Sequence, residues 1–214
     1  MFRLPNLVII GLTFFITSCA PLQVRSTQTQ VKNPLYDTVI FDIASVNTGT
    51  PSSEALEFFR SKIVQYGIGN RVIFRQRQDI PGPNVWTPGQ LRQFEENNRL
   101  IRDKNAEDRI LVVFIAYLPG IYLGGSSTTI AGIQYGDTSF AIFRDITDDD
   151  WEGVVLLHEL GHMIRVAWSR DEPPSNPDRP HHCNDEDCTM FWRAGTHRTN
   201  FCIRCLGELR KLRN

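Results

Sequence analysis

Residues 158 to 162 read HELGH. On a helix, His158 and His162 stand one turn apart on the same face, the spacing at which two imidazole nitrogens reach one tetrahedral metal ion. Glu159 neighbours the first imidazole and points to the side of that ion, where it can hold a water without being a ligand. A catalytic zinc usually takes three protein ligands, so a third must come from elsewhere in the chain. The remaining histidines, His181, His182 and His197, lie in the last third, as do four of the five cysteines: Cys183, Cys188, Cys202 and Cys205. Metal binding concentrates residues in this way and an even spread does not. Val154, Val155, Leu156, Leu157, Leu160, Met163 and Ile164 make the rest of the segment apolar. The helix is therefore expected to be buried, and two buried imidazoles beside a buried carboxylate would be costly without a metal.

The elements that must position this helix follow from periodicity. Tyr36 to Val46 is rich in β-branched and aromatic residues and reads as a strand. Ser52 or Ser53 caps a helix carrying Leu56, Phe59, Ile63 and Tyr66. Arg71 to Gln76 reads as a second strand, and Pro81 to Asn84 as a turn. Thr87 caps a helix beginning at Pro88 and running to about Asn105. Arg109 to Tyr117, the most apolar run, reads as a central, doubly buried strand. Thr128 to Tyr135 and Thr138 to Phe143 form a hairpin about Gly136-Asp137. Thr147, followed by Asp148 to Asp150, reads as the N-cap of the HELGH helix. The expectation is an α/β fold with an open mixed sheet, helices upon it, and a small irregular C-terminal part.

The first residues read differently. Arg3 precedes an apolar stretch from Leu7 to Ile16 that is too short to span a bilayer comfortably and ends in small residues, the pattern of a secretory signal. Ile16-Thr17-Ser18-Cys19 resembles the bacterial lipobox, in which cleavage precedes a cysteine that becomes lipidated. A lipidated Cys19 would anchor the chain to a membrane surface; in an ordinary signal peptide Cys19 would be incidental. Ala20 and Pro21 follow with no Asp, which resembles the outer-membrane sorting pattern of Gram-negative cells. The expected organisation is a signal peptide over 1–18, a polar tether over 19–34, and a folded domain over 35–214 with a C-terminal subdomain from about 169. The chain has 214 residues, 41% hydrophobic and 22% charged, with a net charge of −1. That is enough apolar material for one core, and nothing in the charge balance points to nucleic acid.

The C-terminal sixty residues resemble the archaemetzincins, a branch of the metzincin clan of zinc peptidases. His158 to His162 matches the first block of that pattern; His182-Cys183, four residues, Cys188, Thr189 and Met190 match the middle block; Cys202-Ile203-Arg204-Cys205 matches the closing CxxC. Two positions depart from it. Arg165 stands where the family has a glycine that turns the chain, and Trp168 where it has the third histidine. The helix is therefore expected to run on through Arg165 to Trp168, followed by a loop over 171–180 stiffened by four prolines. His182 directly precedes Cys183, as the family's third ligand does; His181 is the alternative.

By resemblance, His158, His162 and His182 hold a catalytic Zn²⁺, Met190 packs beneath them as the Met-turn methionine, and Glu159 activates a zinc-bound water that hydrolyses a peptide bond. No tyrosine follows Met190, so no second oxyanion stabiliser is named. An edge strand before the active helix pairs with extended substrate in metzincins, and Thr138 to Phe143 is the candidate. The spacing of Cys183, Cys188, Cys202 and Cys205 admits a structural Cys₄ zinc, two disulfides in an oxidising compartment, or a CxxC redox motif; the family pattern implies the zinc. The implied protein is an exported, lipid-anchored zinc metallopeptidase acting on peptide or protein substrates, at the outer membrane facing the periplasm or at the cell surface. The alternative is a surface binding protein that keeps the metal without cleaving.

Overall fold

The computed structural model describes residues 33–47, 49–101, 109–124, 130–147, 151–167, 181–193 and 195–213. The expected signal peptide over 1–18, Cys19, Trp168 and residues 171–180 lie outside the described residues. A five-stranded sheet runs in the order β2-β1-β4-β7-β6, built from β1 (Tyr36–Val46), β2 (Gly69–Ile80), β4 (Ile110–Leu118), β6 (Gly132–Gly136) and β7 (Ser139–Phe143). β1 pairs parallel with β2 and β4, and β4 with β7; β6 alone runs antiparallel, against β7.

Strand alternation divides the core in two. Val39, Phe41 and Ile43 of β1, Val113, Ile115 and Tyr117 of β4, and Phe140 and Ile142 of β7 face α1 (Ser53–Gln65) and α3 (Glu152–Met163). Ala44, Val46, Phe114, Ala116, Leu118, Ala141 and Phe143 face the other way, toward α2 (Pro88–Asn98) and a small parallel pair, β3 (Val85–Trp86) and β5 (Ile121–Tyr122). Because both faces are covered, β4 reads as an unbroken apolar run, as strands buried on both sides do. Asp42 is fully buried on the α2 side. Its carboxylate accepts from Arg77 Nη2 at 3.2 Å and from the Leu100 amide at 2.7 Å, which satisfies it.

Several expectations need correction. α2 ends at Asn98, earlier than about Asn105; Arg99 swings inward to reach Glu95, Thr138 and the Val112 carbonyl. Thr147 does not cap the HELGH helix. It is buried in a turn, and its hydroxyl donates to the Phe143 carbonyl at 2.9 Å. Trp151 occupies the N-cap position without a side-chain bond. The start of α3 is fixed instead by Glu152, whose buried carboxylate accepts from the Ser52 amide at 3.1 Å and from the Tyr117 hydroxyl.

α3 does not run on to Trp168. It ends at Met163, and Arg165 turns the chain with φ +63°. The Arg165 amide donates to the His162 carbonyl at 3.0 Å, and the Val166 amide to the Gly161 carbonyl at 2.8 Å. This paired-bond ending is the one that normally places glycine at the left-handed position. Arg165 therefore adopts the glycine's conformation without its freedom, and buried Val166 anchors the turn. The C-terminal part, expected to be irregular, contains a helix, α4 (Ile203–Lys211), which turns Cys205 and Leu209 toward the core.

Candidate functional site

α3 carries His158, Glu159 and His162 into the layer between the sheet and the C-terminal segment. His158 is 8% exposed and Glu159 5%. The strand and helix order brings His182 to the same point: ligand nitrogens of His158, His162 and His182 all lie within 4.8 Å of one another. The two Nε2 atoms of His158 and His162 are 3.0 Å apart. Ring centroids of His182 lie 5.2 Å from His158 and 4.6 Å from His162. His181 and His197 are not in this group.

The first imidazole has a fixed orientation. His158 Nδ1 lies 2.6 Å from the Thr189 carbonyl oxygen. A carbonyl only accepts, so Nδ1 carries the proton and Nε2 presents its lone pair toward the other imidazoles. Burial pushes the His158 pKa down to about 4, helped by the neighbouring His182. Burial also holds His162 well below the usual histidine range, with His158 and His182 adding to the shift. The site thus favours neutral imidazoles, the form that binds metal.

Glu159 sits between α3 and the edge strand β6. Burial pushes its carboxyl up to about 8, opposed by a hydrogen bond from the Gln134 amide. Gly132 of β6 lies so close that a Cβ there would stand 2.6 Å from Glu159 Oε1. On the opposite side of the helix, a Cβ on Gly161 would stand 2.3 Å from Met190 Sδ. The glycine of HELGH thus makes room for the fully buried Met190 thioether against the helix.

A second group adjoins the first in sequence and space. The sulfurs of Cys183, Cys188, Cys202 and Cys205 lie within 4.8 Å of one another, with Cys183 and Cys202 3.6 Å apart and Cys188 and Cys205 3.7 Å apart. A tetrahedral zinc with Zn–S of about 2.3 Å separates its sulfurs by roughly 3.8 Å, whereas a disulfide requires about 2.05 Å. Donors converge on these sulfurs: the Asp185 amide and Arg204 Nη2 on Cys183, and the Cys202 amide on Cys188. The Cys188 and Cys205 thiols donating toward Cys183 hold its pKa far below the usual thiol range. Both clusters suit zinc in donor type and spacing.

The strand expected to pair with substrate, Thr138 to Phe143, is not an edge. β7 is hydrogen-bonded on both sides, to β4 and to β6. Among the described residues the free edge beside α3 belongs to β6, which the sequence marks only as the first arm of the hairpin. Arg144 and Asp145, to which the sequence assigns no role, are structural: Arg144 donates to the Tyr117 hydroxyl at 3.0 Å and Asp145 accepts from the Gly120 amide at 2.8 Å.

No protein-family model matches this chain, and no curated protein does. Solved structures do. An archaemetzincin from Methanopyrus kandleri superposes with a TM-score of 0.56 at 15% identity, covering 85% of this chain and 98% of its own. A zinc-dependent peptidase from Methanocorpusculum labreanum gives 0.53 at 14% identity, covering 83% of this chain and 100% of its own. At such identities the likeness is one of fold. The chain has an archaemetzincin-like α/β fold, with a group of three imidazoles and a group of four thiols, each able to hold a metal ion.

Proposed function

We propose that this protein is a zinc-dependent peptidase, with His158, His162 and His182 as ligands of the catalytic metal and Glu159 as the general base. The observation that carries the reading is the convergence of three imidazoles, two of them on α3 and held neutral by burial, beside a buried carboxylate of the same helix. The similar folds of an archaemetzincin and of a zinc-dependent peptidase add support. A site for metal storage alone needs no base, and a buried carboxyl without a task is costly.

Zinc, when bound, polarises the scissile carbonyl and lowers the pKa of water. A divalent cation nearby also favours the ionised form of Glu159. Glu159 then accepts a proton from the attacking water and returns it to the leaving nitrogen. His158 keeps its tautomer through the Thr189 carbonyl, and the apolar flanks of α3 keep bulk water out. Extended substrate adds to the free edge of β6, by main-chain pairing with the strand that already contacts Glu159. Met190 forms an apolar floor beneath the imidazoles. Cys183, Cys188, Cys202 and Cys205 hold a second, structural zinc, a reading supported by the sulfur spacing and the donors upon it.

The test is hydrolysis of a broad peptide library by the purified full chain, with zinc per chain measured in parallel. Glu159→Gln should lower kcat by about 10²-fold or more with zinc retained, and His182→Ala should lose one zinc. Undiminished hydrolysis in Glu159→Gln rejects the base. An inert wild type that still binds zinc favours a binding protein.

We further propose that Cys19 is lipidated and holds the domain at a bacterial membrane surface. Cys19→Ser should move the protein from the membrane fraction to the soluble one; an unchanged distribution rejects the anchor.

A further inference from the structure

The geometry points to Tyr66, the residue closing α1, as a positioning residue for the His158 imidazole, acting through Asn200 and Thr189. This rests on His158 being a metal ligand, as proposed above. The connection is a continuous set of hydrogen bonds. The Tyr66 hydroxyl donates to Asn200 Oδ1 at 3.1 Å and accepts from the Phe201 amide at 3.2 Å. Lys62 Nζ, one turn earlier on α1, donates to the same Asn200 oxygen at 2.7 Å. The Asn200 carbonyl accepts from the Thr189 amide at 2.8 Å. The Thr189 carbonyl then accepts from His158 Nδ1 at 2.6 Å.

Packing gives the chain of bonds its stiffness. The Tyr66 ring stacks on Phe201 with centroids 4.9 Å apart. Phe201 in turn lies against α3, within 3.5 Å of where a Cβ on Gly161 would stand. Thr189 is 1% exposed, and its hydroxyl donates to the Arg198 carbonyl at 2.6 Å. The segment from Cys188 to Met190 has no helix or long strand to hold it. Two isolated bridges hold it, Cys183 to Phe191 and Cys188 to Asn200, and α1 clamps the second of them from outside through Lys62 and Tyr66. Two residues that never approach the imidazoles thereby set the height of the carbonyl that aims one of them. Groups that orient a metal-ligating histidine typically alter metal affinity 10- to 100-fold; a residue one bond further out should have a smaller effect.

The test uses the zinc-loaded full chain. Tyr66→Phe keeps the ring and its stack and removes only the hydroxyl. Two readouts are taken: zinc affinity of the imidazole site by competition with a chelator, and solvent exchange of the His158 Nδ1 proton by NMR. The expected result is about 3- to 10-fold weaker zinc binding and faster proton exchange, with the thiol-site zinc retained. Asn200→Ala, at an exposed position, should give the same two shifts, and the double variant no more than either. Tyr122→Phe, on β5, should give neither. Unchanged affinity and exchange in Tyr66→Phe overturn the proposal, as does an equal loss in Tyr122→Phe, which would mark general destabilisation. In both cases loss of zinc in His158→Ala leaves the peptidase reading standing. If His158→Ala keeps its zinc, the metal reading fails and takes this one with it.

Discussion

Arg165 shows how far a single residue can depart from a pattern without changing its geometry. The sequence argues that losing a glycine lengthens the helix. The backbone instead forces Arg165 to φ +63°, because two hydrogen bonds and the burial of Val166 end the helix there regardless. A left-handed non-glycine residue costs about 1–2 kcal/mol, offset in part by the greater entropy glycine has when unfolded. Arg165→Gly should therefore raise unfolding free energy by about 0.5–1 kcal/mol in denaturant melts; a loss of stability would mean the arginine side chain holds the turn. Tyr117 makes a second case. Burial raises its phenol above the ordinary value, and the bond to Glu152 adds to this. A folded-state pKa above the unfolded one gives stability that is complete below about pH 10 and lost as pH rises through the folded value. Tyr117→Phe should show a shallower alkaline decline than wild type above that pH; identical slopes would reject the linkage.

At the scale of elements, the contact that matters most for chemistry is that of α3 with β6. HELGH identifies the helix from its own residues, since i,i+4 spacing is a local property. It does not identify the partner strand. β6 and β7 both read as strands, and only pairing determines which keeps a free edge. Gly132 is the residue that lets β6 approach Glu159. Gly132→Ala should push the carboxylate aside and lower kcat by on the order of 10- to 100-fold, with zinc content unchanged by elemental analysis. Unaltered turnover would mean that Glu159 has room to shift. α4 was hidden for a different reason. Its inward positions are Cys205 and Leu209, so one of its two buried residues reads as a ligand rather than as helical periodicity. β3 and β5, at two residues each, carry no period at all.

Over the whole molecule, the C-terminal segment meets the rest through Met190, Phe201 and Leu209 in the shared core, the Thr189 carbonyl on His158 and the bonds from α1, while the cysteine group ties the segment to itself. Cys183, Cys188 and Cys205 are members of the same buried cluster as the sheet and α3. Cys188→Ser should lower stability by about 3–5 kcal/mol and raise hydrogen exchange across residues 183–213. A strong chelator should do the same to wild type while a thiol reductant does not; the opposite sensitivity would indicate disulfides. What the sequence determined by itself was local or counted along the chain: the strand and helix periods, the HELGH face, the metal-ligand composition of the last third, and the spacing of the three archaemetzincin-like blocks. What only the tertiary structure decided was which distant groups meet. It put His182 and not His181 with the two helical imidazoles, brought the Thr189 carbonyl to His158, left β6 with the open edge among the described residues, and bent the chain at Arg165. Those outcomes depend on burial and on hydrogen-bond satisfaction between segments far apart in sequence, and no pattern within one segment encodes its partner.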